Sequence, residues 1–114
     1  MDPNSRARGE TPLLTLAAEY DSLPATKMLI ERGADINATN GVNTAIYKAL
    51  MYSNYEIIWY LLEHNPDLTI ETPRGLSFLS VFEGDLKEYH DKHPFYEKVM
   101  KTKRKLEVMG YEFK

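Results

Sequence analysis

Met28-Leu29-Ile30-Glu31-Arg32-Gly33-Ala34-Asp35-Ile36-Asn37-Ala38 is the stretch whose reading decides the fold. Its left half is apolar at helical spacing. Gly33 then stands where a helix ends, because glycine enters the left-handed C′ conformation without a Cβ penalty. Asp35 and Asn37 are turn formers, with Ile36 between them free to bury. The order is helix end, tight stop and departing loop. The same order returns in Leu61-Leu62-Glu63-His64-Asn65-Pro66-Asp67-Leu68-Thr69, where Asn65 takes the glycine position; Asp35 to Asp67 is a step of 32 residues. Asp2-Pro3-Asn4 matches Asp35-Ile36-Asn37 at a step of 33, and Leu106 to Phe113 is a weaker fourth copy. A period near 33 marks a solenoid of helix pairs.

Two motifs carry a family resemblance. Gly33-Ala34-Asp35-Ile36-Asn37-Ala38 resembles the end of an ankyrin repeat, and Gly9-Glu10-Thr11-Pro12-Leu13 resembles its Gly-x-Thr-Pro-Leu start. The resemblance runs from Asp2 to Phe113, specific in the first repeat, patterned in the second and degenerate in the third. It implies an all-α fold, a helix-turn-helix solenoid with hairpin-like loops and a C-terminal capping helix. The expected organisation is a single domain over 1–114. Its repeats fall near 9–40, 41–74 and 75–114, with 1–8 the tail of a preceding partial repeat. That tail fits the C-terminal piece of a longer array or a short protein that begins with a half-repeat; the first is preferred, since no polar capping helix precedes Thr11.

Composition fits a small interaction domain. At 114 residues, 43% hydrophobic and 27% charged, the chain can bury a core. Zero cysteines exclude disulfide and thiolate chemistry and suit a reducing cytoplasm. No apolar run approaches the length of a membrane span, and Met1-Asp2-Pro3-Asn4 lacks the plan of a signal peptide. The net charge of −3 speaks against a wholesale nucleic-acid binder.

Taken in order, Thr11 is expected to cap the first helix with Pro12 at N1. Leu13, Leu14, Leu16, Ala17 and Ala18 follow, and the preceding loop is one residue shorter than the family pattern. The family's histidine is replaced by Leu14 or Thr15. Pro24 opens a second helix, with Ala25, Met28, Leu29 and Ile30 as its buried stripe. Asn40-Gly41 suits the tip of a tight loop. In the second repeat Ala45, Ile46, Ala49 and Leu50 form one apolar stripe, and Ile57, Ile58, Leu61 and Leu62 the next; Tyr47 replaces the histidine. Trp59 falls where the family usually points a polar residue outward. Packing of Trp59 and Tyr60 under the inserted segment of the next repeat is preferred over an exposed anchor, because large aromatics usually find a core.

In the third repeat Ser77 takes the threonine position, Phe78 replaces proline, and Phe82 replaces a small alanine, so it must fill space or push neighbours apart. Asn65 to Gly110 spans 45 residues, 13 more than Gly33 to Asn65. The surplus is an insertion at 85–94, read as an extension of the preceding helix with Pro94 as its stop. His90 and His93 offer two metal ligands where zinc needs three or four. Phe95, Val99, Leu106 and Met109 line one face of the final helix. Residues 97–107 hold five basic and two acidic side chains, read as a solvated outer face rather than a nucleic-acid patch. Helices are expected at about 12–18, 23–32, 44–52, 55–64, 77–84 and 95–109.

No catalytic constellation, phosphate loop or cofactor motif is present. The resemblance implies a module that binds another protein through loop tips and the concave face of the first helices. Carried over, the surface residues are Arg6, Arg8, Glu10, Thr39, Val42, Asn43, Lys48, Met51, Tyr52, Glu71, Pro73, Arg74 and Leu76. Arg8, Glu10, Val42, Asn43, Lys48, Met51, Tyr52, Arg74 and Leu76 are the partner-binding candidates. Alternative readings are a C-terminal targeting fragment of a larger effector or enzyme, and a dedicated inhibitor or immunity protein that plugs a single partner.

Overall fold

The stretch that ends in Gly33 folds as its order of residues requires. Gly33 takes φ 92°, Asn65 takes φ 51° and Gly110 takes φ 105°, each two or three residues past a helix. Asparagine tolerates this left-handed region better than most residues, which is why Asn65 can stand for glycine. The computed structural model describes residues 2–113, with Arg8 described in its backbone alone. Six α-helices and no strand occur among the described residues: α1 (Leu13–Glu19), α2 (Leu23–Glu31), α3 (Ala45–Met51), α4 (Tyr55–Leu62), α5 (Phe78–Glu88) and α6 (Tyr96–Val108).

The helices form antiparallel pairs stacked in two layers. Helices α1, α3 and α5 make one layer, and α2, α4 and α6 the other. Local chemistry sets the starts. Ser22 Oγ accepts from the Ala25 N–H at 3.3 Å, and Thr44 Oγ1 from the Tyr47 N–H at 3.4 Å. Ser77 and Ser80 form a reciprocal capping box. The first helix departs from expectation: Pro12 occupies the N-cap and no side chain caps it. Thr11 instead accepts from Asn40 Nδ2 at 3.3 Å, tying two loops together. The helix starts Leu13 and Ala45 stand 32 residues apart, so Thr15 is the counterpart of Tyr47 and takes the histidine position. Its Oγ1 is buried without a hydrogen-bond partner.

The loop ties come from asparagine instead. Asn4 Oδ1 accepts from the Asp35 N–H at 2.7 Å, and Asn37 Oδ1 accepts from the Asp67 N–H at 2.8 Å. Asp2, Asp35 and Asp67 each accept from the N–H two residues on, giving three superposable turns. The repeated Asp-x-Asn spacing in the sequence is therefore a ladder in which each loop hooks the next.

The expected core stripes of α3 and α4 are buried throughout: Ala45, Ile46, Ala49 and Leu50, then Ile57, Ile58, Leu61 and Leu62. Phe82 is fully buried and fills space, stacked on Phe78 at 6.0 Å and edge-on to Phe113 at 5.6 Å. Three expectations are corrected. Met28 is 37% exposed, because no described helix pair covers that side of α1 and α2. Trp59 packs on α6 rather than under the insertion, and Tyr60 lies beside His64 at 4.8 Å with Lys27 at 5.7 Å from its ring. The insertion does extend α5, but the stop comes at Tyr89, whose backbone turns extended well before Pro94. There the Tyr89 ring stacks on His93 at 3.8 Å.

Candidate partner-binding surface

The loops that precede α3 and α5 both bring their tips to α3. In the first, Thr39 bridges to Thr44, and Asn40 Oδ1 accepts from the N–H groups of Val42 and Asn43 at 3.0 and 3.2 Å. In the second, the Thr72 N–H donates to the Leu76 carbonyl at 2.8 Å and the Gly75 N–H to the Thr72 carbonyl at 2.8 Å. These bonds hold both tips in a defined shape and turn Val42 and Leu76 outward.

Between the tips and α3 lies a cleft of about 370 Å³ lined by Val42, Asn43, Tyr47, Met51, Thr72, Pro73, Arg74 and Leu76. Val42, Met51 and Leu76 are 43–57% exposed and line this one cleft, so large apolar side chains face solvent together there. Tyr52 sits at the end of α3 next to Met51. Its ring lies 5.8 Å from Lys48 Nζ, and that ammonium also lies 3.2 Å from Glu19 Oε1 on α1. Lys48 is therefore a partly neutralised strut between α1 and α3 rather than a free cation. Arg74 is exposed and enters no ion pair among the described residues.

Of the sequence candidates, Val42, Asn43, Met51, Arg74 and Leu76 meet around this cleft, whereas Lys48 and Tyr52 are outside its lining, paired with each other and, through Glu19, with α1. Pro73 lines it as well, and Thr39 stands at the base of the first tip. Glu10 lies apart on the loop before α1; its carbonyl accepts from Arg6 Nη1 at 2.8 Å. The Arg8 side chain lies outside the described residues. Exposed Arg6 also donates from Nη1 to the Thr39 carbonyl at 3.0 Å, joining two successive loops. Sequence reasoning passed over the Glu19–Lys48 pair and the lining role of Tyr47. A step of 32 between the two helices, read strictly, brings Leu16 opposite Lys48 and would have pointed to Glu19 as its neighbour.

The histidine pair does not gather a metal set. His90 Nδ1 accepts from the Lys92 N–H at 3.3 Å and His93 Nδ1 from the Phe95 N–H at 3.1 Å. Among the described residues no group of three or more possible metal ligands occurs. No described helix is long and apolar enough to cross a membrane.

Comparison with known proteins agrees with this geometry. A family profile described as "Ankyrin repeats (3 copies)" matches residues 1–72. Ankyrin repeat and SAM domain-containing protein 6 of Rattus norvegicus is 38% identical over 80 residues, which is 65% of this chain and 9% of that protein. BRCA1-associated RING domain protein 1 of Caenorhabditis elegans is 35% identical over 86 residues, 74% of this chain and 12% of that protein. The chain thus spans about a tenth of the length of the relatives it matches. With stacked helix pairs, left-handed stops at the expected places and a profile covering more than half of its length, the chain belongs to the ankyrin repeat family.

Proposed function

We propose that this chain is a protein–protein interaction module with no catalytic step of its own, whose partner seats across the loop tips and the exposed end of α3. Ankyrin repeats are in general such modules, and the reading treats residues 1–114 as one domain with repeats near 9–40, 41–74 and 75–114. The observation that carries it is the gathering of exposed Val42, Met51 and Leu76 around a cleft that Arg74 also lines, with exposed Tyr52 the next residue after Met51 in the chain. Tyrosine offers a large contact area at low conformational cost, and interface energy concentrates in such central aromatics. Arg74 supplies a planar cation that a partner carboxylate can meet in two parallel bonds. Asn43 lines the same cleft; Arg8, Glu10 and Lys48 enter the proposed surface on the family resemblance alone. The encounter is placed in the cytoplasm, where a chain without cysteine meets no redox constraint.

The test starts with capture of the partner from the source organism and its identification by mass spectrometry, followed by titration of purified proteins. Tyr52→Ala and Arg74→Ala are each expected to weaken binding by about 1–3 kcal/mol with unchanged helicity. Lys101→Ala and Lys105→Ala, on α6, are expected to leave this partner's affinity nearly unchanged. Dominance of the lysine changes, with an effect that grows steeply at low salt, would show that this partner does not use the loop-tip surface.

A further inference from the structure

The other layer carries a second feature that the loop-tip surface leaves unused. Helices α4 and α6 lie side by side and run in the same direction, since Tyr55 meets Phe95, at 5.6 Å between rings, and Trp59 meets Thr102 a turn or two later. Trp59 Nε1 donates to Thr102 Oγ1 at 2.9 Å, and that hydroxyl donates to the Lys98 carbonyl at 2.7 Å. The indole is thus pinned by its polar edge, while Lys101 Nζ rests 4.1 Å from its ring centroid. Beyond it opens a groove of about 330 Å³ lined by Trp59, Leu62, Glu63, Lys105, Val108 and Met109.

Two properties of this groove are unusual together. Its wall residue Val108 is 89% exposed, the most exposed of the large hydrophobics among the described residues. Lys98, Lys101, Lys105 and Val108 follow at steps of 3, 4 and 3, one stripe along α6 beside α4, with Arg104 adjacent. None of the five α6 cations enters an ion pair among the described residues, where the single pair is Lys48–Glu19. Glu63, on the α4 side, is the one carboxylate lining the groove, while Lys98, at the far end of the stripe, lines a separate cleft with Asp21 and Glu56. Residues 97–107 carry a net +3 while the remainder of the chain carries −6. A solvated cap explains the lysines but not an apolar groove with a bare valine at its lip.

We propose that the α4–α6 groove is a second docking site, for an acidic amphipathic helix of a partner protein. Such a helix lays apolar residues from successive turns over Trp59, Leu62, Val108 and Met109, and sets its flanking carboxylates against Lys98, Lys101, Lys105 and Arg104. The stripe from Lys98 to Val108 is about 15 Å long, which matches roughly three turns of a partner helix. A purely anionic polymer meets the lysines and leaves the apolar floor wet; an uncharged helix does the reverse. The site lies in the α2–α4–α6 layer, apart from the loop tips, so the two surfaces can be occupied independently.

Trp59 is the only tryptophan, so its emission reports the groove directly. The full chain is titrated with a labelled synthetic helix of about 18 residues whose leucines recur at i, i+3, i+4 and i+7 and whose other positions are mostly glutamate. Three controls accompany it: a peptide of the same composition with leucines scattered around the helix, polyglutamate, and a single-stranded oligonucleotide. The amphipathic peptide is expected to shift Trp59 emission to shorter wavelength and to bind at least about tenfold more tightly than each control. Val108→Glu, a change at a bare surface position, and the double change Lys101→Glu/Lys105→Glu are each expected to weaken it about tenfold, with circular dichroism unchanged, whereas Tyr52→Ala has no effect. The proposal is overturned by no Trp59 response at low ionic strength. It is equally overturned if the scattered peptide or polyglutamate binds as tightly, if the oligonucleotide binds more tightly and makes α6 a nucleic-acid surface, or if Val108→Glu leaves affinity unchanged.

Discussion

Replacing Phe82 by alanine restores the small residue that the repeat pattern has at this position, and a consensus view expects the change to be neutral or stabilising. The structure demands the opposite. Phe82 is fully buried on α5, its ring parallel to that of Phe78 at 6.0 Å and edge-on to Phe113 at 5.6 Å. Truncation removes the whole phenyl ring, a loss of about 1.5–3 kcal/mol of burial. The vacated space is roughly 100 Å³, and each 100 Å³ of unrelaxed cavity adds about 2.4 kcal/mol. Partial collapse of Phe78 and Phe113 into the gap lowers the sum to about 3–5 kcal/mol. In a chain of this size that lowers Tm by roughly 10–20 °C. Differential scanning calorimetry and urea unfolding, read together by circular dichroism and Trp59 emission, measure it. Phe82→Leu, which keeps most of the volume, is expected to cost about 1 kcal/mol. A Tm for Phe82→Ala within a few degrees of the parent, or above it, would mean that Phe82 does not fill the space around α5 and that the packing reasoning is wrong.

Other outcomes follow from the loops and the buried phenol. Gly33→Ala is expected to cost about 1–2 kcal/mol although a Cβ there meets no atom within 4 Å, since the cost is the backbone φ of 92°; an unchanged urea midpoint refutes it. Asn37→Ala removes the acceptor of the Asp67 N–H and is expected to lose about 0.5–1.5 kcal/mol, with faster hydrogen exchange at Asp67 as the local signature. Burial, then the nearby Asp85 and Tyr89, push the Tyr55 phenol up to about 12. Because the folded state favours the neutral phenol, this stability is present below the ordinary tyrosine value near 10 and is lost as pH rises from there through about 12, about 2–3 kcal/mol in all. Tyr55→Phe is expected to fold with stability within about 1 kcal/mol at neutral pH, since the hydroxyl has no hydrogen-bond partner among the described residues, and to unfold at higher pH than the parent. An identical alkaline midpoint in the two proteins would assign the alkaline limb to other groups.

What the sequence by itself determined was set by interactions that close within one turn of chain. The stops at Gly33, Asn65 and Gly110 and the Asp-x-Asn turns depend on residues two to five positions apart, so their types and spacing suffice. Repetition near 32 residues then implies stacking, because an amphipathic helix pair can bury its apolar face only on a neighbour. The candidates around the loop-tip cleft were carried over from the family resemblance rather than derived from local chemistry. Tertiary structure alone decided the rest. An outward helical position such as Trp59 is bare or packed according to what lies 43 residues away, here Thr102 on α6. The bond from exposed Arg6 to the Thr39 carbonyl depends on the next loop, and Met28, expected in the buried stripe of its helix, is partly bare because no described helix pair covers it. Thr11 does not supply the expected cap; Pro12 holds the N-cap position, and the Thr11 hydroxyl accepts from Asn40 Nδ2, 29 residues away. These outcomes turn on distances between elements far apart in the chain, which periodicity orders but does not measure.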